Sequence, residues 1–248
     1  MGTYRHTYDV TLSEIDQQFG LPVNSVLGNF TDACARMMAS AGIGPADLLA
    51  RGLFWVISEF HSTIHGRTPR WPESFTVETW VSRLSPLRVH LDYRMYRSDG
   101  FLFASGTSVW VVMDGTARRP VDCHVLDPLE GMLHDELAVP AASFRFAGEG
   151  EDCGCVLHTV AGTDTDFNGH MNNQSYVKIA MSMTSLRFTS THRVSAFHVK
   201  FGRESFVGDV LSCTLLRNDD CSYSNVLRRE SDGVEVCRMS SEWTETIH

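Results

Sequence analysis

Nothing in this chain is suited to crossing a membrane or closing a disulfide cage. No window approaches the roughly 18 to 20 uninterrupted apolar residues that a membrane-spanning helix requires. The N-terminus lacks the basic-then-apolar run of a signal peptide. The seven cysteines, Cys34, Cys123, Cys153, Cys155, Cys213, Cys221 and Cys237, are odd in number and include no CxxC pair, so neither a disulfide framework nor a zinc cage is expected. Cys153-Gly154-Cys155 is the one close pair, a spacing that is ordinarily incidental in a reduced compartment. His61 and His65 stand four apart with no third ligand in view, so no metal site is expected. Positive charge is scarce as well: 21 Lys and Arg against 30 Asp and Glu leave a net charge of -9, poorly suited to replacing the counterions of a nucleic acid. These absences point to a cytoplasmic globular protein with no nucleic-acid or membrane partner. A hydrophobic share of 43% supplies the core such a protein needs.

What is present is repetition. Ser98-Asp99-Gly100 is followed ten residues after the glycine by Trp110, and Ser231-Asp232-Gly233 ten residues after its glycine by Trp243. Both Asp-Gly pairs read as hairpin turns. Phe60-His61 leads to Gly66-Arg67 in the first half, and Phe197-His198 leads to Gly202-Arg203 in the second, with one residue of insertion between the copies. Two echoes in the same order favour two copies of one module.

Each copy carries a helix of about 15 residues, expected over Asn24 to Ala41 and over Asn172 to Arg187. In the first, Val26, Leu27, Phe30, Ala33, Cys34, Met37, Met38 and Ala41 recur at three-and-four spacing, and Gly42 is a plausible stop. Strand-like segments surround the helices. The first runs from Arg5 to Leu12, and in another Val89, Leu91, Tyr93 and Met95 alternate with polar residues as in a half-buried strand. Phe75 to Val81, Leu102 to Met113, Phe197 to Phe201, Val210 to Leu216 and Val234 to Met239 complete the sets. An apolar helix ahead of such a meander buries its stripe only by lying across the sheet. The expected fold is therefore α+β: two tandem hotdog domains, each a long helix wrapped by an antiparallel sheet. The domains are expected at 1–121 and 153–248, joined by a linker over 122–152 with a short helix near Leu129 to Leu137.

The chemically capable residues crowd Asp164 to Asn173. Asp166, Asn168 and His170 occupy alternate positions, so an extended segment would point an acid, an amide and an imidazole the same way. The cluster precedes a helix with Asn172 or Asn173 as N-cap, and helix N-terminal amides suit a carbonyl oxygen that gains negative charge under attack. That combination points to acyl transfer. Asp, Asn and Gly are also the commonest turn residues, so composition alone equally describes a loop. The matching junction in the first half, Glu14 to Gly20, has acids and no histidine, which implies one active site per chain.

Asp166-x-Asn168-x-His170-x-Asn172-Asn173-x-x-Tyr176 strongly resembles the signature of acyl-acyl carrier protein thioesterases, and the resemblance extends over roughly residues 4 to 245. The first half contributes Arg67-x-x-Arg70-Trp71 between Trp55 and Trp80, and Arg118-Arg119-Pro120 after Trp110. In the family a Glu on the next strand completes the site; Gly202-Arg203-Glu204-Ser205 stands there, with Glu204 34 residues beyond His170. Ser205 takes the place of a Cys found in plant members, which removes a Cys nucleophile and leaves Ser205 a supporting role beside Asn172 and Asn173. The early first strand leaves no room for a transit peptide, as in a bacterial, cytosolic member.

The resemblance implies hydrolysis of fatty acyl-acyl carrier protein to free fatty acid and holo carrier protein, terminating fatty acid biosynthesis without cofactor or metal. Glu204 would activate water with help from His170, and Asn168 would orient the thioester or the imidazole. Asp166 either attacks the carbonyl or positions His170; the sequence allows both. The resemblance further implies that the first half shapes the acyl-chain pocket, with Met37, Met38, Phe54, Trp55 and Ile57 as candidates that are equally well read as ordinary core. An acidic carrier protein needs basic surface, for which Arg67, Arg70, Arg187, Arg193, Lys200 and Arg203 are candidates. Whether the duplicated chain pairs again into a homodimer is open at this point. The rival readings are an acyl-CoA thioesterase, a hotdog hydratase and a non-catalytic acyl-binding hotdog protein.

Overall fold

A computed structural model of the protein describes residues 3–139, 146 and 150–246. The chain divides into two compact units, Met1–Ala142 and Ser143–His248. Both have the α+β hotdog architecture.

The first unit runs β1 (Tyr4–Asp9), α1 (Val23–Ser40), α2 (Pro45–Leu49), β2 (Leu53–Ile64), β3 (Ser74–Ser85), β4 (Arg88–Arg97), β5 (Leu102–Asp114) and α3 (Pro128–Gly131). Its strands lie in the order β1-β3-β4-β5-β2, every neighbour antiparallel. The expected stripe of α1 is the buried one: Val26, Leu27, Phe30, Ala33, Cys34, Met37 and Met38 are all sealed. Gly42, at φ 71°, ends the helix, its amide donating to Ala39 O while Ile43 N reaches Met38 O. At the centre, the Phe30 ring lies 4.5 Å from Tyr93 and 5.4 Å from Phe60, and those two stack at 5.6 Å. Gly106 makes that stack feasible, since a Cβ there would sit 2.0 Å from His61 O and 2.6 Å from the Tyr93 ring.

The second unit repeats the plan with β6 (Glu151–Thr159), α4 (Asn173–Ser182), α5 (Leu186–Thr189), β7 (His192–Phe201), β8 (Val210–Asp219), β9 (Ser222–Arg229) and β10 (Glu235–Glu245). Its strand order, β6-β8-β9-β10-β7, has the same connectivity as the first. The Ser-Asp-Gly echoes are the β4-β5 and β9-β10 turns, and both tryptophans ten residues on donate from Nε1 to a serine two positions back, Trp110 to Ser108 at 2.7 Å and Trp243 to Ser241 at 3.0 Å.

Three features depart from expectation. The second helix stops at Ser182 rather than Arg187: Ser185 accepts from Phe188 N and starts α5 as a separate turn, while the buried Asn225 side chain on β9 donates to Ala180 O at the end of α4. The helix near Leu129 is only the single turn α3. Much of the stretch expected as linker is pinned to the first sheet instead. His134 N donates to Val81 O, Trp80 Nε1 to Glu136 O and Ala138 N to Asp92 Oδ2. Residues 140–145 and 147–149 of that stretch lie outside the described residues.

Candidate active site

The site is built at the junction between β6 and α4. A 3-10 turn, Gly162–Asp164, is followed by a tight reversal from Asp166 to His170. Asp166 N donates to His170 O and Gly169 N to Asp166 O, both at 3.0 Å. Gly169 adopts φ 79°, a conformation for which glycine is the natural residue. Asp166 Oδ1 accepts from Asn168 N at 2.8 Å, an Asx turn. The segment is therefore not extended, as alternation had suggested. Side chains of Asp166 and His170 meet because the chain folds back between them.

His170 is flanked on both ring nitrogens by carboxylates. Its Nε2 lies 3.4 Å from Glu204 Oε1 and its Nδ1 4.0 Å from Asp166 Oδ1. All three side chains are partly accessible, at 18% for His170, 22% for Asp166 and 25% for Glu204, enough to meet solvent and a substrate. The Asn168 side chain makes none of these contacts, although its backbone closes the turn. Glu204 arrives on the loop after β7. That loop is tied down by Met171 N to Ser205 O at 2.8 Å, Phe206 N to Asp209 Oδ2 at 2.9 Å, and Arg229 Nη1 to Glu204 O at 3.0 Å.

Asn172 caps α4, its Oδ1 accepting from Gln174 N at 2.8 Å. Asn172 N donates to Asp164 O and Ser175 N to Asn172 O, so much of the helix start is already committed. Among the described residues, this leaves the Asn173 amide as the uncommitted first-turn donor. Tyr176 is buried with its ring edge on Phe201, and burial pushes its hydroxyl up to about 12. Ser205 is sealed, and its Oγ finds no partner of good hydrogen-bond geometry among the described residues.

Sequence reasoning missed four supporting residues. His158, on β6, pairs through Nε2 with Asp164 Oδ2 at 2.8 Å. Burial alone would raise the Asp164 carboxyl, but the Ala161 amide and His158 outweigh it and hold the group below its ordinary value. Ser175 Oγ donates to Asp164 O. Phe206 sets its ring edge-on to His170 at 6.4 Å, and Arg229 reaches in from β9. Arg229 belongs to a hairpin distant in sequence, and nothing in its own segment signals the contact.

Of the first-unit candidates, Met37, Met38, Phe54 and Ile57 are buried, and Trp55 donates from Nε1 to Ile43 O at 2.9 Å. Phe54 adjoins Trp55 on an extended strand and so faces the other side of the sheet, where the Arg118 guanidinium lies 5.5 Å from its ring. Among the described residues no group of three or more His, Cys, Asp or Glu is placed to hold a metal. No helix there is long and apolar enough to cross a membrane.

Residues 2–128 match the acyl-ACP thioesterase N-terminal domain and residues 156–245 the corresponding C-terminal domain. The chloroplastic palmitoyl-acyl carrier protein thioesterase of Gossypium hirsutum is 22% identical over 97% of this chain and 63% of its own length, so the chain spans less than two thirds of that relative. The chloroplastic dodecanoyl-[acyl-carrier-protein] hydrolase of Cinnamomum camphora is 22% identical over 97% of this chain and 67% of its own. Among solved structures, an acyl-ACP thioesterase from Bacteroides thetaiotaomicron superposes with a TM-score of 0.85 at 19% identity, and the 12:0-ACP thioesterase of Umbellularia californica with 0.86 at 21%, each over 98% of both chains. These last two likenesses establish the fold; with both domain profiles matched, the chain belongs to the acyl-ACP thioesterase family.

Proposed function

We propose that this protein hydrolyses fatty acyl thioesters of acyl carrier protein, releasing free fatty acid and holo carrier protein and so ending a round of fatty acid synthesis in the cytoplasm. The observation that carries the reading is the imidazole of His170 held against Glu204, in a chain whose two halves both match this family. Glu204 takes a proton from water as that water adds to the thioester carbonyl carbon. The C–S bond then breaks, and the departing thiolate takes the proton back. His170 orients Glu204 and steadies its charge, Asn168 holds the thioester, and the Asn173 amide at the positive end of α4 is the donor available to the carbonyl oxygen. We assign catalysis to the second unit and the choice of acyl chain to the first.

Thiol release from acyl carrier protein loaded with chains from octanoyl to stearoyl tests this directly. General-base loss typically costs about 10² to 10⁴ in rate, so Glu204→Gln and His170→Ala are expected to fall by that order. Retained acyl binding with no thiol release by the native protein would instead make it a binding module, and faster turnover of acyl-CoA would move it to the other carrier.

A further inference from the structure

The first unit contains the same turn-and-loop framework as the active site, without the active site. The 3-10 turn Leu12–Glu14 matches Gly162–Asp164. After it, Asp16 N donates to Gly20 O at 2.9 Å and Phe19 N to Asp16 O at 3.1 Å, the pattern made by Asp166, His170 and Gly169. Asp16 Oδ1 accepts from Gln18 N at 2.8 Å, as Asp166 Oδ1 accepts from Asn168 N at 2.8 Å. Phe19 takes φ 61° where Gly169 takes 79°.

The facing loops correspond residue for residue. Leu21 N donates to Pro69 O and Met171 N to Ser205 O; Arg70 N donates to Glu73 Oε2 and Phe206 N to Asp209 Oδ2; Val10 N donates to Glu73 O and Val160 N to Asp209 O. This places Thr68 where the second unit has Glu204 and Gly20 where it has His170. A Cβ on Gly20 would indeed lie 2.9 Å from Thr68 Oγ1 and 3.6 Å from Asp16 Oδ1.

The framework without the chemistry thus keeps the aspartate and an amide residue, Gln18, and lacks the imidazole and the glutamate. In the first unit Asp16 has a structural task alone: its Oδ1 also accepts from Gly20 N at 2.9 Å and closes the turn. From this we infer that Asp166 is a positioning residue, whose carboxylate shapes the turn that presents His170 to Glu204, and not the nucleophile that attacks the thioester. The inference rests on the thioesterase reading of the site. No acyl-enzyme anhydride forms on Asp166; water adds directly to the carbonyl carbon.

Asparagine at 166 can still accept from Asn168 N but cannot attack as a carboxylate. Asp166→Asn is therefore expected to keep thiol release within about tenfold of native, with Asp166→Ala losing at least about tenfold more. The pH profile of kcat/KM should keep its shape in the asparagine variant, because His170 and Glu204 remain. In the native protein turned over once in ¹⁸O-water, the label should enter the fatty acid and not the Asp166 peptide.

Asp166→Asn as inactive as His170→Ala, an acyl adduct on Asp166 in quenched Glu204→Gln, or ¹⁸O in the Asp166 carboxylate would each overturn the inference. If the native protein releases no thiol from any carrier, the thioesterase reading fails on its own. The positioning role is then decided by Tm: alanine at Asp16 and at Asp166 should each lower it while asparagine spares it, and no drop at Asp166 sinks the claim.

Discussion

At Ser205 burial and polarity disagree. A hydroxyl sealed from water without a well-formed hydrogen bond is a net cost of about 1–3 kcal/mol, so removing it should not harm the fold. Ser205→Ala is expected to leave thiol release within about threefold of native and to hold or raise Tm. A loss comparable to that of Glu204→Gln would make Ser205 a participant in the chemistry. Its carbonyl, by contrast, anchors Met171 N whatever the side chain, which is why supporting work can come from a residue with a dispensable hydroxyl. That distinction was invisible in the sequence, where Ser205 could be read only by its side chain. Asp166 and His170 are legible in their types and close spacing, Glu204 only through the resemblance to the family, and the structure brings the three together. Alternation is not what brings Asp166 and His170 together: the local chain is a reversal closed by an Asx turn, and periodicity cannot register five residues that fold back on themselves.

At the level of elements, legibility followed hydrophobic contrast. The α1 stripe and the alternation on β4 could be read directly because one face is apolar and buried. β6 and β9 gave no such signal. β6 is an exposed edge carrying the Cys153-Gly154-Cys155 bulge, and β9 buries the polar Ser224 and Asn225 on its two faces. The Asn225 side chain donates to Ala180 O at 3.2 Å, a second donor beside the Met183 amide at 3.3 Å near the end of α4. Asn225→Leu leaves that carbonyl with the Met183 amide alone and is expected to cost about 0.5–1.5 kcal/mol in urea unfolding. Phe30→Ala opens the aromatic centre of the first unit and should cost about 3–5 kcal/mol by the same measurement.

The junction ahead of α4 also carries a pH signature. Asp164 is held below its ordinary pKa, so its contribution is present above the unfolded value and is lost as pH falls through the folded one. Tm of the native protein should therefore fall below about pH 4 more steeply than that of Asp164→Asn. Parallel slopes at low pH would show that the carboxylate is not held ionised by the Ala161 amide and His158.

For the whole molecule, the informative fact is that one connectivity is used twice and equipped once. Both units wrap a helix in five antiparallel strands of the same order, yet only the second places a histidine and a glutamate on the shared turn and loop. On the proposed reading the first is released from catalytic constraint, and its interior is free to be shaped by an acyl chain. Met37 and Met38 on α1 and Ile57 on β2 are buried without polar duties, and methionine side chains adapt to a flexible chain more readily than branched ones. If the first unit selects the acyl chain, Met37→Trp or Ile57→Trp should shift the thiol-release profile toward shorter acyl groups, raising KM for stearoyl carrier protein by about tenfold while kcat on octanoyl carrier protein stays within about twofold. A uniform loss at every chain length, accompanied by a lower Tm, would instead assign these side chains to ordinary core and leave chain-length choice to the second unit.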